Sequence, residues 1–143
     1  MTAFPRRVNA TVPCGGFMAT LLLLHARLVI TILLLLGALV IWGFFNYLRG
    51  EGVSGSYKGA LAIGELLLIA EFVLGVILFV IGDRPYRSGI HILYGIVAII
   101  MLPGAFSYTR GRDGRWEQLI YVMVCLFLMG IALRSLSTGR LPQ

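Results

Sequence analysis

Four apolar stretches, each long enough to cross a lipid bilayer, take up most of this chain. They cover roughly residues 17–48, 60–82, 89–109 and 117–133. A helix rises about 1.5 Å per residue, and about 20 apolar residues cross the hydrocarbon core. Backbone polar groups find no water there, so each stretch must bond internally as a helix. Short loops between four such helices predict an all-α fold, an integral membrane four-helix bundle running up-down-up-down. A polar N-terminal tail (1–16) precedes the helical domain (17–134), and a C-terminal tail (135–143) follows it.

Composition argues the same way. The chain is 59% hydrophobic and 13% charged, whereas a soluble domain carries roughly 25% charge. A chain of 143 residues buries only about two-thirds of its unfolded surface on folding. Much of the apolar surface must therefore face a solvent, and that solvent is lipid. The net charge of +6 comes from Lys and Arg placed mostly between the apolar runs. Residues in those positions touch lipid headgroups. No basic cluster lies on a water-soluble face, so nucleic acid is not an expected partner.

The first run exceeds what a span needs, so its helix is expected to tilt or to begin along the interface. Trp42, Phe44, Phe45 and Tyr47, followed by Arg49, mark its far end, the depth that aromatic rings and snorkelling cations prefer. It is too long for a signal-peptide core, and Met18 is an alternative start. Residues 49–59 read as a Gly/Ser loop. Gly82-Asp83-Arg84-Pro85 ends the second run, since proline cannot extend the hydrogen-bond ladder. Pro103 is expected to kink the third helix. The fourth run is short, which predicts snorkelling flanks or a locally thinned bilayer. Ala60 and Gly64 have the small-xxx-small spacing of close helix contacts.

Two cysteines, Cys14 and Cys125, lie in the tail and mid-span, so no disulfide is expected. Neither a CxxC pair, HExxH, P-loop nor dinucleotide fingerprint occurs. Cations on the side of both termini (Arg6, Arg7, Arg27, Arg84, Arg87, Arg134, Arg140) outnumber those opposite (Arg49, Lys58, Arg110, Arg112, Arg115). This favours cytoplasmic termini. Compact loops without eukaryotic sorting signals point to a bacterial plasma (inner) membrane.

Ionisable groups at bilayer depth demand an explanation, because each costs about 2.5–3.5 kcal/mol at a helix centre on insertion scales. Two constellations stand out. His25 and His91 begin the first and third spans, which run in the same direction, so both lie on one membrane side. Each sits about 12 Å from its helix midpoint. Two imidazoles on separate helices can ligate b-type haem, with Arg27, Arg84 and Arg87 as candidate propionate contacts. The second constellation is Glu65 and Glu71. Six residues apart, they project roughly 120° from each other around the helix axis, so they do not form one paired site. Glu71 lies near mid-span with no Lys or Arg at its depth. It is expected to be a neutral acid bonded to Tyr94 or Tyr121, acting as helix glue, a proton relay or a quinone contact. Glu65 is expected to reach the interface or to pair with Lys58 or Arg110.

These readings leave three functions. The first is a non-enzymatic accessory or scaffold subunit, contacting a membrane protein partner or a second copy. The second is a bis-histidine haem electron-transfer protein. The third is a proton-coupled carrier using Glu71, which with four spans would need an oligomer.

Overall fold

The computed structural model describes residues 14–82 and 88–139. Within them are four helices: α1 (Cys14–Leu48), α2 (Gly55–Ile81), α3 (Ser88–Thr109) and α4 (Arg115–Gly139). All four are long and apolar enough to cross a membrane. α1 and α3 each pack against both α2 and α4, while the backbones of α1 and α3 do not come into contact and nor do those of α2 and α4. The four axes therefore form a square in chain order, with α1 and α3 on a diagonal.

The surface identifies the solvent. Leu34, Ile41 and Val80 are 72%, 74% and 77% exposed, and many other large apolar side chains are exposed along all four helices. A contiguous apolar surface of this extent is not stable against water, and its natural environment is acyl chains. The chain is a multi-pass membrane protein. Its core is a column of Ile32, Leu36, Leu39, Leu61, Leu68, Leu102, Cys125 and Leu128.

Several boundaries differ from the sequence reading, each for a local reason. α2 begins five residues earlier than expected. Ser54 accepts the Tyr57 amide at 3.2 Å, and such a cap starts a helix despite glycines nearby. α2 ends on Gly82 in the left-handed region (φ 109°), whose amide bonds back to Phe79 and Leu78, a conformation glycine adopts at little cost. α4 continues to Gly139, because polar residues beyond Leu133 suit an interfacial turn as well as a tail. With 25 residues, about 37 Å at the helical rise, α4 is not short. α3 remains helical through Pro103. Gly64 faces Leu35 and Leu39 of α1, with ordinary spacing for an added Cβ.

The loop-side end is tied across the bundle. The Val53 amide donates to the Asp113 carbonyl at 3.0 Å, and the Lys58 ammonium pairs with the Asp113 carboxylate. Arg115 Nε donates to the Tyr47 carbonyl at 3.0 Å. The Thr109 and Tyr121 hydroxyls bond at 2.9 Å, and the buried Tyr57 hydroxyl donates to the Leu39 carbonyl at 3.1 Å. A Cβ at Gly52 would collide with the Asp113 carbonyl, so glycine there permits the two loops to meet. The pairing of Lys58 with Asp113 also removes it as a partner for Glu65.

Candidate functional site

At the opposite end, all four helices line one cavity of about 270 Å³. α1 contributes His25, α2 Glu71, α3 His91 and α4 Ser135. Most of the remaining wall is apolar, with Val29, Ile32, Leu68 and Leu128 toward the bundle centre.

His25 is held from two sides. Its Nδ1 lies 3.1 Å from Glu71 Oε1, and the geometry there does not form a hydrogen bond. The second carboxylate oxygen, Oε2, is buried without a hydrogen-bond partner. The ring also lies against the α2 backbone at Gly75, where a Cβ would come within 3.4 Å of His25 Cε1. Glycine at that position lets the imidazole lie close to α2.

His91 meets α4. Its Nδ1 and the Ser135 hydroxyl are 3.2 Å apart. The two imidazole centroids are 6.3 Å apart with planes inclined by 61°. On the α2–α3 side, Phe72 lies against Gly95, whose added Cβ would come within 2.8 Å of the ring. Polar groups are thus gathered in one corner of an otherwise apolar chamber.

The residues singled out from sequence are redistributed. His25, His91 and Glu71 come together. Glu71 meets His25 rather than Tyr94 or Tyr121: Tyr94 lines the cavity, and Tyr121 bonds Thr109 at the far end. Glu65 does not line the cavity, and its Oε2 is buried without a hydrogen-bond partner. Arg27 is exposed on α1, because two residues beyond His25 is about 200° around the helix. It does not line the cavity. Arg84 and Arg87 lie outside the described residues. Ser135, placed in the tail by sequence, belongs to the site. Its spacing from Leu128 and Ile131 repeats the helical face of the core, and that periodicity is the signal that identifies it.

The haem expectation divides on geometry. The 6.3 Å separation leaves room for one atom bonded to both rings at about 2.0–2.1 Å. The chamber is another matter. A dry cavity of about 150 Å³ holds one benzene, so 270 Å³ holds one ring with substituents or a fused pair. A four-pyrrole macrocycle exceeds that unless the helices part. Among the described residues, no three His, Cys, Asp or Glu side chains are grouped to hold a metal ion.

Comparison with known proteins adds little to this geometry. No protein-family model matches the chain, and no solved structure matches it. Over 80 residues it is 30% identical to the MFS-type transporter pydD of Acremonium sp. The match covers 56% of this chain and 13% of the transporter's length, so the chain spans only a small part of that protein.

Proposed function

We propose that this chain is a small non-enzymatic membrane subunit that binds the ring of a lipid-soluble molecule bearing hydrogen-bonding oxygens, of the quinone or phenol class. The observation that carries the reading is the chamber itself. It is ring-sized and apolar on most of its wall, and it has an imidazole–carboxylate pair and an imidazole–hydroxyl pair in one corner. Small-molecule sites have this character, apolar walls with a few convergent polar groups that orient the ligand. A quinone carbonyl accepts from an imidazole N–H, and a quinol hydroxyl donates to the Glu71 carboxylate or to an unprotonated ring nitrogen. Leu22, Val76 and Ile92 line the cavity and are 40%, 45% and 37% exposed, which gives a hydrocarbon tail a route into the bilayer. The host membrane in this reading is a bacterial plasma membrane, with both termini cytoplasmic.

The test is photolabelling with an azido-benzoquinone in detergent or nanodiscs. Label should concentrate on peptides containing residues 68–79 and 91–98 and should be displaced by unmodified short-chain quinone. Label scattered over the lipid-facing surfaces, with no displacement, would refute the reading.

The ring spacing favours bis-histidine haem as a second reading, in which the helices part around the macrocycle. His25 and His91 would hold the iron, and haem would supply one-electron transfer. A Soret band in the purified protein, lost in both His25→Ala and His91→Ala, would establish it over the first.

A further inference from the structure

We infer that water reaches the His25–Glu71–His91 site from one face of the membrane only, the face carrying the N-terminus of α1 and the C-terminus of α4. The inference rests on the reading of this cavity as the ligand site and adds a direction to it. Ligand protons would be exchanged with a single aqueous phase.

Two observations carry the inference. His91 lies three residues into α3 and Ser135 four residues before the end of α4, about 5–6 Å from those helix ends. Both are partly exposed. The Ser135 hydroxyl and His91 imidazole are therefore within about a turn of the ends of α3 and α4, while His25 lies eleven residues into α1 and Glu71 ten before the end of α2, so the hydroxyl and imidazole form the polar edge of the site nearest that face.

Toward the other face the bundle is shut. Ile32, Leu36, Leu68, Leu102, Cys125 and Leu128 are between 0% and 7% exposed and close the interior across all four helices. The first buried polar side chain on the loop side is Tyr57, whose hydroxyl meets the Leu39 carbonyl, so on α1 the layer runs from Ile32 to Leu39, about 10 Å along the axis. The polar groups beyond this layer, among them Tyr57, Thr109, Gln118 and Tyr121, belong to the loop-side end. Of the ionisable groups nearby, Glu65 is on α2 beside the layer and outside the cavity wall. Of the buried side-chain oxygens without a hydrogen-bond partner among the described residues, Glu65 Oε2 alone lies beside this layer, and a single oxygen is too few to hold a continuous water file, each molecule of which needs two or more polar partners. A proton released by a ligand hydroxyl to the Glu71–His25 pair can then leave only past His91 and Ser135. A carrier would need a second opening, and this layer stands where that opening would be.

The experiment is sided labelling of single cysteines. Cys14 and Cys125 are replaced by Ala, and Val29→Cys and Ala132→Cys are made separately as two cavity reporters. Ser137→Cys and Ser56→Cys, at exposed positions on the terminus and loop sides, serve as references. Intact cells and inverted vesicles are treated with a membrane-impermeant maleimide. Both cavity cysteines should label at least tenfold faster in whichever preparation labels Ser137→Cys. Labelling in the preparation that reports Ser56→Cys, equal labelling in both, or labelling in neither would overturn the inference. Quinone photolabelling of the same variants keeps the two claims separate. Lost photolabelling with one-sided maleimide labelling sinks the ligand class alone, and the converse sinks the sidedness alone.

Discussion

Glu71 carries an insertion cost of about 2.5–3.5 kcal/mol if charged at bilayer depth, and its partner decides how that cost is met. The partner is His25, at 3.1 Å. Interhelical polar contacts in membranes average only about 0.6 kcal/mol and reach about 1.7, so the pair adds little to stability. Glu71→Leu should therefore leave the detergent melting temperature nearly unchanged while weakening short-chain quinone binding at least tenfold. Glu71→Gln should stay within about threefold, because the amide keeps an acceptor oxygen at the same place for a ligand hydroxyl. A titration of each variant with the quinone checks this. Equal loss in both variants would mean that charge, rather than hydrogen bonding, sets affinity. Glu71 stood out in the sequence as an intramembrane acid, but its partner did not. Depths counted from each helix's own midpoint assume that the midpoints coincide. α1, at 35 residues, is longer than α2 at 27, and the two centres need not align. Ser135 escaped notice for a different reason. It follows Arg134, and a cation read as the end of a span hid a helical face that continues past it.

At the level of the helices, the same apolar composition that reveals the spans conceals how they pack. Lipid and core favour the same side chains, so the sequence marks where each helix runs but hardly which side faces inward. Glycines distinguish the faces only once the structure is known. Gly43 of α1 is buried where an added Cβ would lie 2.5 Å from the Tyr57 hydroxyl, 2.6 Å from Val122 Cγ2 and 2.7 Å from Gln118 Nε2. Gly130 of α4 has nothing within 4 Å of such a Cβ. Gly43→Ala should therefore destabilise the bundle by about 1–3 kcal/mol, the usual range for overpacking. Gly130→Ala should stabilise by about 0.5–1 kcal/mol, the gain of alanine over glycine in a helix interior with open space. Thermal unfolding in one detergent compares them directly, and equal effects would mean that α1 and α4 do not pack as described. The loop-side ties follow the same pattern. Lys58, Asp113 and Gly52 read as ordinary loop residues, and only the folded chain brings them together.

The whole molecule is a membrane bundle with two unlike ends. The loop end is tied by the Lys58–Asp113 ion pair and the Val53–Asp113 backbone bond, while the terminus end holds a chamber that opens toward the bilayer. Its fold class was legible from the apolar runs alone, because no soluble chain of this length could bury them. The protein should stay in the pellet after an alkaline carbonate wash and require detergent for release, and recovery in the wash would refute the membrane assignment. The central functional claim, that the chamber binds a ring beside its two histidines, has a convenient reporter. His25 and His91 are the chain's only histidines, so ¹⁵N-histidine labelling yields two imidazole spectra and no others. Titration with a short-chain benzoquinone in nanodiscs should shift the ring nitrogens of both residues together, saturably and with one dissociation constant. Ring signals that stay unmoved up to the solubility limit of the quinone would contradict the account.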